Sequence, residues 1–337
     1  MIPRGRGAAS REGRNESSTK GVAASVVAFT CAKIDARVND DRRSPTFLIG
    51  AARSGTSLLY KGLCLHPDAA YFNNYLRRVP THTSVSVANR LARRTPGHRR
   101  QVWFSGGSNA YVYSRARRLR DRLYPMPVEG EPVFVACGIP ESVTKESVDV
   151  EAAARLRRAV ISTMRWGGGT HFINKRIANV RRIPMLAAAF PEARFVDITR
   201  DGRAVAVSLS RVDWWEDSVV WWYGGTPKAW RDDGRDPWEL CARNWVEEVR
   251  AIDCGMEELD PGQVLRLTYE EFVAEPIATI RRVAEFAGLS DDAGWRSEIE
   301  RIQFRNRNET WSKGLPPEVV TTIEDVQASE LSKRGYA

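Results

Sequence analysis

The residues best suited to chemistry are concentrated in one run, Thr46-Phe47-Leu48-Ile49-Gly50-Ala51-Ala52-Arg53-Ser54-Gly55-Thr56-Ser57-Leu58-Leu59. It reads as a short apolar strand, a turn bounded by glycines, and the start of a helix. Small residues in such a turn let the backbone approach an anion closely. The first N–H groups of the helix point at that anion, and the helix dipole favours negative charge there. Thr56 and Ser57 add hydroxyl donors, and Arg53 adds a planar fork suited to a tetrahedral oxyanion. The spacing from Gly50 to Gly55 fits the nucleotide-loop pattern G-x-x-x-x-G, yet Thr56 stands where that pattern has its Lys. The cation has moved earlier, to Arg53. The pattern therefore describes a phosphate- or sulfate-binding loop of a different geometry, or a strand-to-helix turn whose Gly and Ser serve only as caps.

A second run repeats the theme. Arg194 to Thr199 is strand-like, Arg200 follows it, Asp201-Gly202 opens a helix, and Ser208 lies eight residues after Arg200. An Arg at a strand end and a Ser on the next helix can hold a second tetrahedral anion between them. Two anion sites at the carboxyl ends of two strands suggest a nucleotide with phosphates at both ends.

Taken together, these motifs resemble those of the sulfotransferases that use 3′-phosphoadenosine 5′-phosphosulfate (PAPS). The family's loop reads roughly P-[KR]-[ST]-G-T-[TS], and Ala52-Arg53-Ser54-Gly55-Thr56-Ser57 is similar to it, with Ala52 in place of Pro. The Arg form looks like the tyrosylprotein and bacterial branches. Arg200 and Ser208 match the family's 3′-phosphate motif. Leu265 to Phe272, with Tyr269, then Pro276 and the helix Ile280 to Leu289, resembles a third family segment. The tail, with Trp311, Lys313, Leu315 and Gly335-Tyr336, resembles the ends of bacterial members. The resemblance runs from Pro45 to the C-terminus. It implies an α/β fold with a mostly parallel central sheet flanked by helices, of the P-loop-like sulfotransferase type. It also implies PAPS as cofactor, adenosine 3′,5′-bisphosphate as product, and no metal.

Under that resemblance Arg53, Ser54, Gly55, Thr56 and Ser57 take the 5′ end of the cofactor, and Arg200 and Ser208 its 3′-phosphate. Tyr269, Arg305, Arg307, Trp311 and Lys313 complete the nucleotide site; three cations and a Trp within nine residues fit a loop that closes over it. Sulfuryl transfer, like phosphoryl transfer, needs positioning, charge stabilisation at the leaving oxygen, and a base for the acceptor hydroxyl. Arg53 is expected at the leaving group. The base is open. In the tyrosylprotein branch a Glu lies about 21 residues after the loop Arg, and Asn74 occupies that position here. His82 and Glu141 are the candidates, Glu141 because it follows the apolar run Val133 to Ile139, near the carboxyl end of a strand read over Val133 to Cys137. His66 and His171 read as structural.

The elements that must position these residues also read from the chain. At 337 residues and 42% apolar content it can bury a substantial core. Residues 1–44, rich in Gly, Arg, Ser and Ala, read as a disordered leader or a start assigned too early. Their apolar stretch, Val22 to Ala32, is well short of the ~20 residues of a membrane-spanning helix. From Pro45 onward, strands at Phe47 to Gly50, Val133 to Cys137, His171 to Asn174, Arg194 to Thr199 and Val264 to Thr268 alternate with helices, the pattern of a parallel sheet covered on both faces. Segments at about 75–130 and 212–245 read as insertions on the acceptor side of one domain. Five cysteines without metal spacing read as reduced thiols in the cytoplasm.

Charge and aromatics mark the two insertions. Tyr75 to Arg122 holds 12 Arg and one acid, Asp121, a balance of +11 against +9 for the whole chain. Following the loop helix directly, this stretch is expected near the mouth of the site, drawing in an anionic acceptor, or else as a solvated basic face. A nucleic-acid surface is the weaker reading. Seven Trp lie between Trp214 and Trp245, suited to a wall for an apolar or sugar acceptor or to core packing. The expected activity is sulfation of a hydroxyl on a small-molecule, sugar or glycolipid acceptor. An ATP–Mg²⁺ kinase, a non-catalytic bisphosphate-binding protein and a nucleic-acid-binding protein are the alternatives.

Overall fold

The computed structural model describes residues 44–104, 123–140, 149–304, 306, 308 and 311–336. The leader reading therefore lies outside the described residues except at Ser44, and so do Glu141, Arg305 and Arg307.

β1 (Thr46–Ile49) passes through the glycine-bounded turn into α1 (Thr56–Cys64). Then come β2 (Ala69–Ala70), α2 (Val87–Arg93), α3 (Pro96–Phe104), α4 (Glu131–Ala136) and α5 (Val150–Gly167). β3 (His171–Lys175), α6 (Ile183–Ala189), β4 (Arg194–Thr199), α7 (Gly202–Leu209), α8 (Pro227–Asp232) and α9 (Pro237–Met256) follow. The described chain closes with β5 (Val264–Thr268), α10 (Tyr269–Ala274), α11 (Pro276–Phe286), α12 (Ala293–Glu300) and α13 (Pro317–Lys333). The five strands form one sheet in the order β2-β3-β1-β4-β5. Every pairing in it is parallel.

Alternation along the strands sorts the core into two layers. Phe47, Ile49, Phe172 and Phe195 pack with Val133, Leu156, Val160, Leu186 and Ile252 on one face. Leu48, Ile173, Val196 and Ile198 pack with Leu59, Leu63, Phe272, Ile280 and Val283 on the other. A parallel strand covered on both faces needs this unbroken apolar run. Because β1 and β4 are neighbours, the loops after them open side by side at the carboxyl edge, where an open α/β sheet binds its ligand.

One expected strand is a helix. Val133 to Ala136 forms most of α4, with Cys137 as its C-cap, and the helix starts at Glu131 behind a left-handed Gly130 at φ 77°. Pro132 decides the matter: it fits the first turn of a helix, where its missing N–H costs nothing, and would delete a ladder bond inside a sheet. Val133 and Phe134 are buried and Val135 is 59% exposed, a helical distribution. The place beside β3 is taken by the two-residue β2 instead. The strand that was to carry Glu141 is thus absent.

Asp197 interrupts the apolar pattern of β4. It is 5% exposed, and its Oδ1 has no hydrogen-bond partner. Burial, opposed by the charge of Arg266, pushes its carboxyl up from 3.8 to about 7. The unfolded chain therefore releases this proton between pH 4 and 7 while the folded chain keeps it, so Asp197 erodes stability as pH rises through that window. Asp197→Asn should gain stability over the parent by at most about 4 kcal/mol from pH 4 to 7. Urea unfolding at both pH values measures this; a gap that does not widen with pH would show Asp197 ionised in the fold.

Candidate functional site

The loop after β1 is strained in a useful way. Among the described residues Arg53 is the single non-glycine residue with positive φ, at 70°. A left-handed Arg costs roughly 1–2 kcal/mol, and persists only where its surroundings impose it. Arg200 Nη1 donates to the Arg53 carbonyl at 2.7 Å, and Arg53 Nε donates to Ser208 Oγ at 2.9 Å. The two anion motifs read separately in the sequence are therefore bonded to each other.

Two glycines let the loop close. A Cβ on Gly50 would sit 2.7 Å from the Ile198 carbonyl oxygen, and one on Gly55 would sit 2.6 Å from Tyr269 Cδ2. Gly55 is the N-cap of α1, at φ 85°, and makes no side-chain cap; no acid lies in the first turn. The positive end of the α1 dipole is thus uncompensated by the helix's own side chains. Ser54 is fully buried, and its Oγ has no hydrogen-bond partner; Thr56 is 4% exposed and Ser57 half-buried. A buried hydroxyl without a partner beside an uncapped helix end fits an anion as the missing ligand.

Tyr269 opens α10 beneath this loop. It is 5% exposed, and the Arg200 guanidinium lies 4.3 Å from its ring centroid. Its role here is support: it backs Gly55 and fixes the plane of Arg200. Arg200 Nε also donates to Asn308 Oδ1 at 2.7 Å, and Asn308 Nδ2 donates to Glu270. The segment that holds Trp311 and Lys313 therefore crosses the Arg200 side of the site. Trp311 is half-buried, with the Arg203 guanidinium 5.5 Å from its ring, and Lys313 is exposed.

A third group joins from β3. Lys175 ends that strand with its side chain 5% exposed, its Nζ 2.5 Å from Glu129 Oε1. Arg53 is close enough to act on its charge, and with burial and Arg176 it draws the ammonium down while Glu129 opposes them. The expected strand stopped one residue short, at Asn174, so Lys175 was passed over. The available signal was the rule that working groups gather at carboxyl ends of strands. Glu129 and Asn308 carried no sequence signal, because tertiary folding alone brings them to the site.

Of the two expected bases, Glu141 lies outside the described residues, and His82 does not join this group. His82 is exposed, precedes the 3-10 turn Thr83–Ser86 and shares a hydrogen bond with Thr81; no described contact joins it to the loop. Asn74 is structural: its side chain accepts from the Met126 N–H and donates to the Tyr124 carbonyl. His66 and His171 sit at the opposite edge, and burial lowers both below the usual range.

The basic stretch also differs from expectation. Arg90 donates to the carbonyls of Trp166 and Arg165, and Arg93 to those of Gly167 and Ala69. Arg99 donates to Leu65, and Arg100 pairs with Glu298 at 2.8 Å. The carbonyl partners end α5 and α1 or open β2, at the amino edge of the sheet. Arg90, Arg93 and Arg99 cap chain ends there, on the side away from the Arg53 loop, while Arg100 is spent on an ion pair with α12. Arg115 to Arg122 lie outside the described residues. Of the tryptophans, Trp215, Trp230 and Trp245 are core, while Trp214 is 46% exposed. Trp215 and Trp230 share a cluster with Ala52 of the loop, and half-buried Trp222, Tyr223 and Ile177 pack against it. Packing and a wall beside the site are thus both served by this insertion.

Among the described residues no helix is long and apolar enough to cross a membrane, and no cluster of His, Cys, Asp or Glu has the geometry of a metal site.

Comparison with known proteins adds the following. A model of the Sulfotransferase family matches residues 45–293. The omega-hydroxy-beta-dihydromenaquinone-9 sulfotransferases Stf3 of Mycobacterium bovis and Mycobacterium tuberculosis are 23% identical over 267 residues, covering 73% of this chain and 63% of theirs. The chain thus spans under two thirds of the length of these curated relatives. Sulfotransferase STF9 of Mycobacterium avium superposes with a TM-score of 0.52 at 16% identity, over 92% of this chain and 80% of that one. STF1 of Mycobacterium tuberculosis does so with 0.50 at 15% identity, over 91% and 81%.

The left-handed Arg53 makes a prediction that needs no ligand. Arg53→Gly and Arg53→Ala both lose the guanidinium, but only Gly takes φ 70° without strain. The Gly variant should be about 1 kcal/mol more stable than the Ala variant. Equal midpoints in urea would mean that the loop relaxes out of this conformation.

Proposed function

We propose that this chain, which belongs to the sulfotransferase family, moves the sulfuryl group of PAPS to a hydroxyl of a small-molecule, sugar or glycolipid acceptor. The observation that carries the reading is the bonded set Arg53–Ser208 and Arg200–Arg53 carbonyl, which joins two tetrahedral-anion motifs at one sheet edge. PAPS supplies an activated sulfuryl group whose departure leaves charge on a bridging oxygen.

The chain's own residues then divide the work. Ser54, Gly55, Thr56 and Ser57 present backbone N–H groups and hydroxyls to the 5′ end of the nucleotide. Arg200 and Ser208 hold the 3′-phosphate, with Tyr269 behind Arg200. Arg53 and Lys175 bring fixed positive charge to the leaving side, where it is worth most as charge develops. No metal is assigned, since the described cations suffice for the charge. Asn308, Trp311 and Lys313 are assigned to the segment that closes on the nucleotide, and Arg305 and Arg307 join them on the sequence resemblance. The base is assigned to His82 or Glu141, and turnover of His82→Ala at the parent rate would leave Glu141.

The acceptor side rests on the aromatic insertion. The mycobacterial relatives are named for an omega-hydroxy-dihydromenaquinone. A hydroxyl on an apolar body is therefore the first class to test, and half-buried Trp222 and Tyr223 beside the Ala52 cluster suit it. We place the reaction in the cytoplasm, on the cysteine pattern of the sequence.

Thermal unfolding with adenosine 3′,5′-bisphosphate, ATP–Mg²⁺ or a short oligonucleotide, followed by transfer assays with labelled PAPS, tests the reading. The bisphosphate alone should stabilise the protein, by about 2.7 kcal/mol at a hundredfold excess over Kd. Arg200→Ala should weaken its binding by about 1.5–3 kcal/mol, the range for a charge-assisted hydrogen bond. Stabilisation by ATP–Mg²⁺ only would make the chain a kinase. Bisphosphate binding without transfer to any hydroxyl would leave a non-catalytic binder.

The same ligand tests the closing segment. Amide exchange at residues 306, 308 and 311–313 should slow on adding the bisphosphate, because Asn308 already holds Arg200. Unchanged exchange would remove this segment from the site.

A further inference from the structure

The carboxyl edge of β3 carries a buried ion-pair cluster that the reading above uses only in part. Glu129 from the turn before α4 and Glu131, the first residue of α4, face three cations from the end of β3 and the segment after it. Glu129 Oε1 lies 2.5 Å from Lys175 Nζ, and its Oε2 lies 2.7 Å from Arg176 Nη1. Glu131 accepts from Arg176 Nε at 3.0 Å and takes Arg182 in a two-point pair at 2.6 and 2.9 Å. Arg182 is fully buried, and it also donates to the Pro140 carbonyl. Arg53 stands beyond Lys175.

We propose that Glu129 is a positioning residue: its carboxylate fixes the ammonium of Lys175 beside the Arg53 loop, where Lys175 meets the transferred group. The inference rests on the sulfotransferase reading.

Three observations carry it. First, Glu129 is held from behind. Asn174 Nδ2 donates to its carbonyl at 3.1 Å, Tyr60 donates to the Val128 carbonyl, and the Val128 N–H donates to Phe72. Gly130 approaches Phe72 so closely that a Cβ would sit 2.3 Å from its ring. The turn is therefore anchored on both sides of Glu129. Second, the cluster assigns each oxygen. Glu131 orients Arg176 and Arg182, which leaves Glu129 Oε1 to Lys175. Third, Lys175 needs a counter-charge to be cationic where it is. A lysine buried between two arginines is pushed towards the neutral amine by desolvation and by both neighbours. The charged groups that act on it among the described residues include Glu129 from the turn before α4, Arg176 from the turn after β3 and Arg53 from the β1–α1 loop. Of these Glu129 is the acid, and it is the one bonded to the ammonium. Burial would raise the Glu129 carboxyl, but Lys175 and Arg176 hold it below the usual range, so it stays an anion and is a poor proton acceptor.

The test is titration calorimetry of adenosine 3′,5′-bisphosphate with turnover measured in parallel, from neutral to alkaline pH. In Glu129→Gln kcat with PAPS should drop at least about tenfold, and the alkaline fall in kcat should move down by about one pH unit or more, while the affinity for the bisphosphate, which lacks the transferred group, stays near the parent's. Adding Lys175→Arg to Glu129→Gln should abolish the shift, because Arg stays charged. Glu131→Gln should keep the parent's pH profile. Glu129→Asp should keep the profile but lose turnover, as its carboxylate is drawn back. An alkaline limb in Glu129→Gln that matches the parent's overturns the proposal while leaving the sulfotransferase reading intact. A parent protein that binds no bisphosphate overturns both. Should Glu129→Gln fail to fold, ¹⁵N NMR of the parent decides: Lys175 Nζ must be an ammonium at pH 8, and a neutral amine there overturns the inference.

Discussion

The hydrogen bond from Arg200 to the Arg53 carbonyl is the constraint on which the rest of the site depends. It ties the loop after β1 to the loop after β4, and these strands are adjacent only because the sheet order places β1 between β3 and β4. The bond also explains how a left-handed Arg persists. The carbonyl is claimed from one side by Arg200, and the guanidinium is claimed from the other by Ser208. The two contacts together hold both ends of the residue. Strain of this size at a ligand loop is ordinary when the surrounding structure over-determines it.

Charge is then sorted by sheet edge. At the carboxyl edge, Arg53, Lys175, Arg176 and Arg200 gather around an uncapped helix start, with Glu129 and Glu131 as nearby counter-charges. At the amino edge, Arg90, Arg93 and Arg99 are spent on backbone carbonyls at chain ends that would otherwise lack partners. Net charge by segment could not distinguish these uses. The same residue type gathers beside an uncapped helix start at one edge and caps backbone carbonyls at the other. What separates them is which end of a strand or helix they lie against.

That distinction also sets what was legible in the sequence. Both anion motifs were readable because each is local: a strand, a turn and a helix start in consecutive residues. Arg53, Gly55, Arg200 and Ser208 needed no tertiary information, and β4 and β5 match their expected bounds. Val133 to Cys137 misled because a short β-branched run carries no period long enough to separate strand from helix, and Pro132 was the deciding residue. The link between the two motifs was beyond a linear reading, since Arg53 and Ser208 are 155 residues apart. Glu129, 46 residues from Lys175, was beyond it for the same reason.

The aromatic insertion completes the argument about how the two halves of the site communicate. Ala52 immediately precedes the strained Arg53, and it packs in the same cluster as Trp215, Val220 and Trp230. Trp222 and Tyr223 meet Trp230 edge-to-face with ring centroids 6.2 and 5.0 Å away. The Arg235 guanidinium lies over Trp230 and that of Arg243 over Trp222. A close-packed cluster transmits displacement rather than absorbing it. The wall assigned to the acceptor therefore bears directly on the backbone that orients Arg53. A substitution that loosens Trp230 is expected to reach the loop through this shared cluster. Packing in the aromatic insertion is thus tied to the backbone next to Arg53, a link that the charged residues alone do not account for.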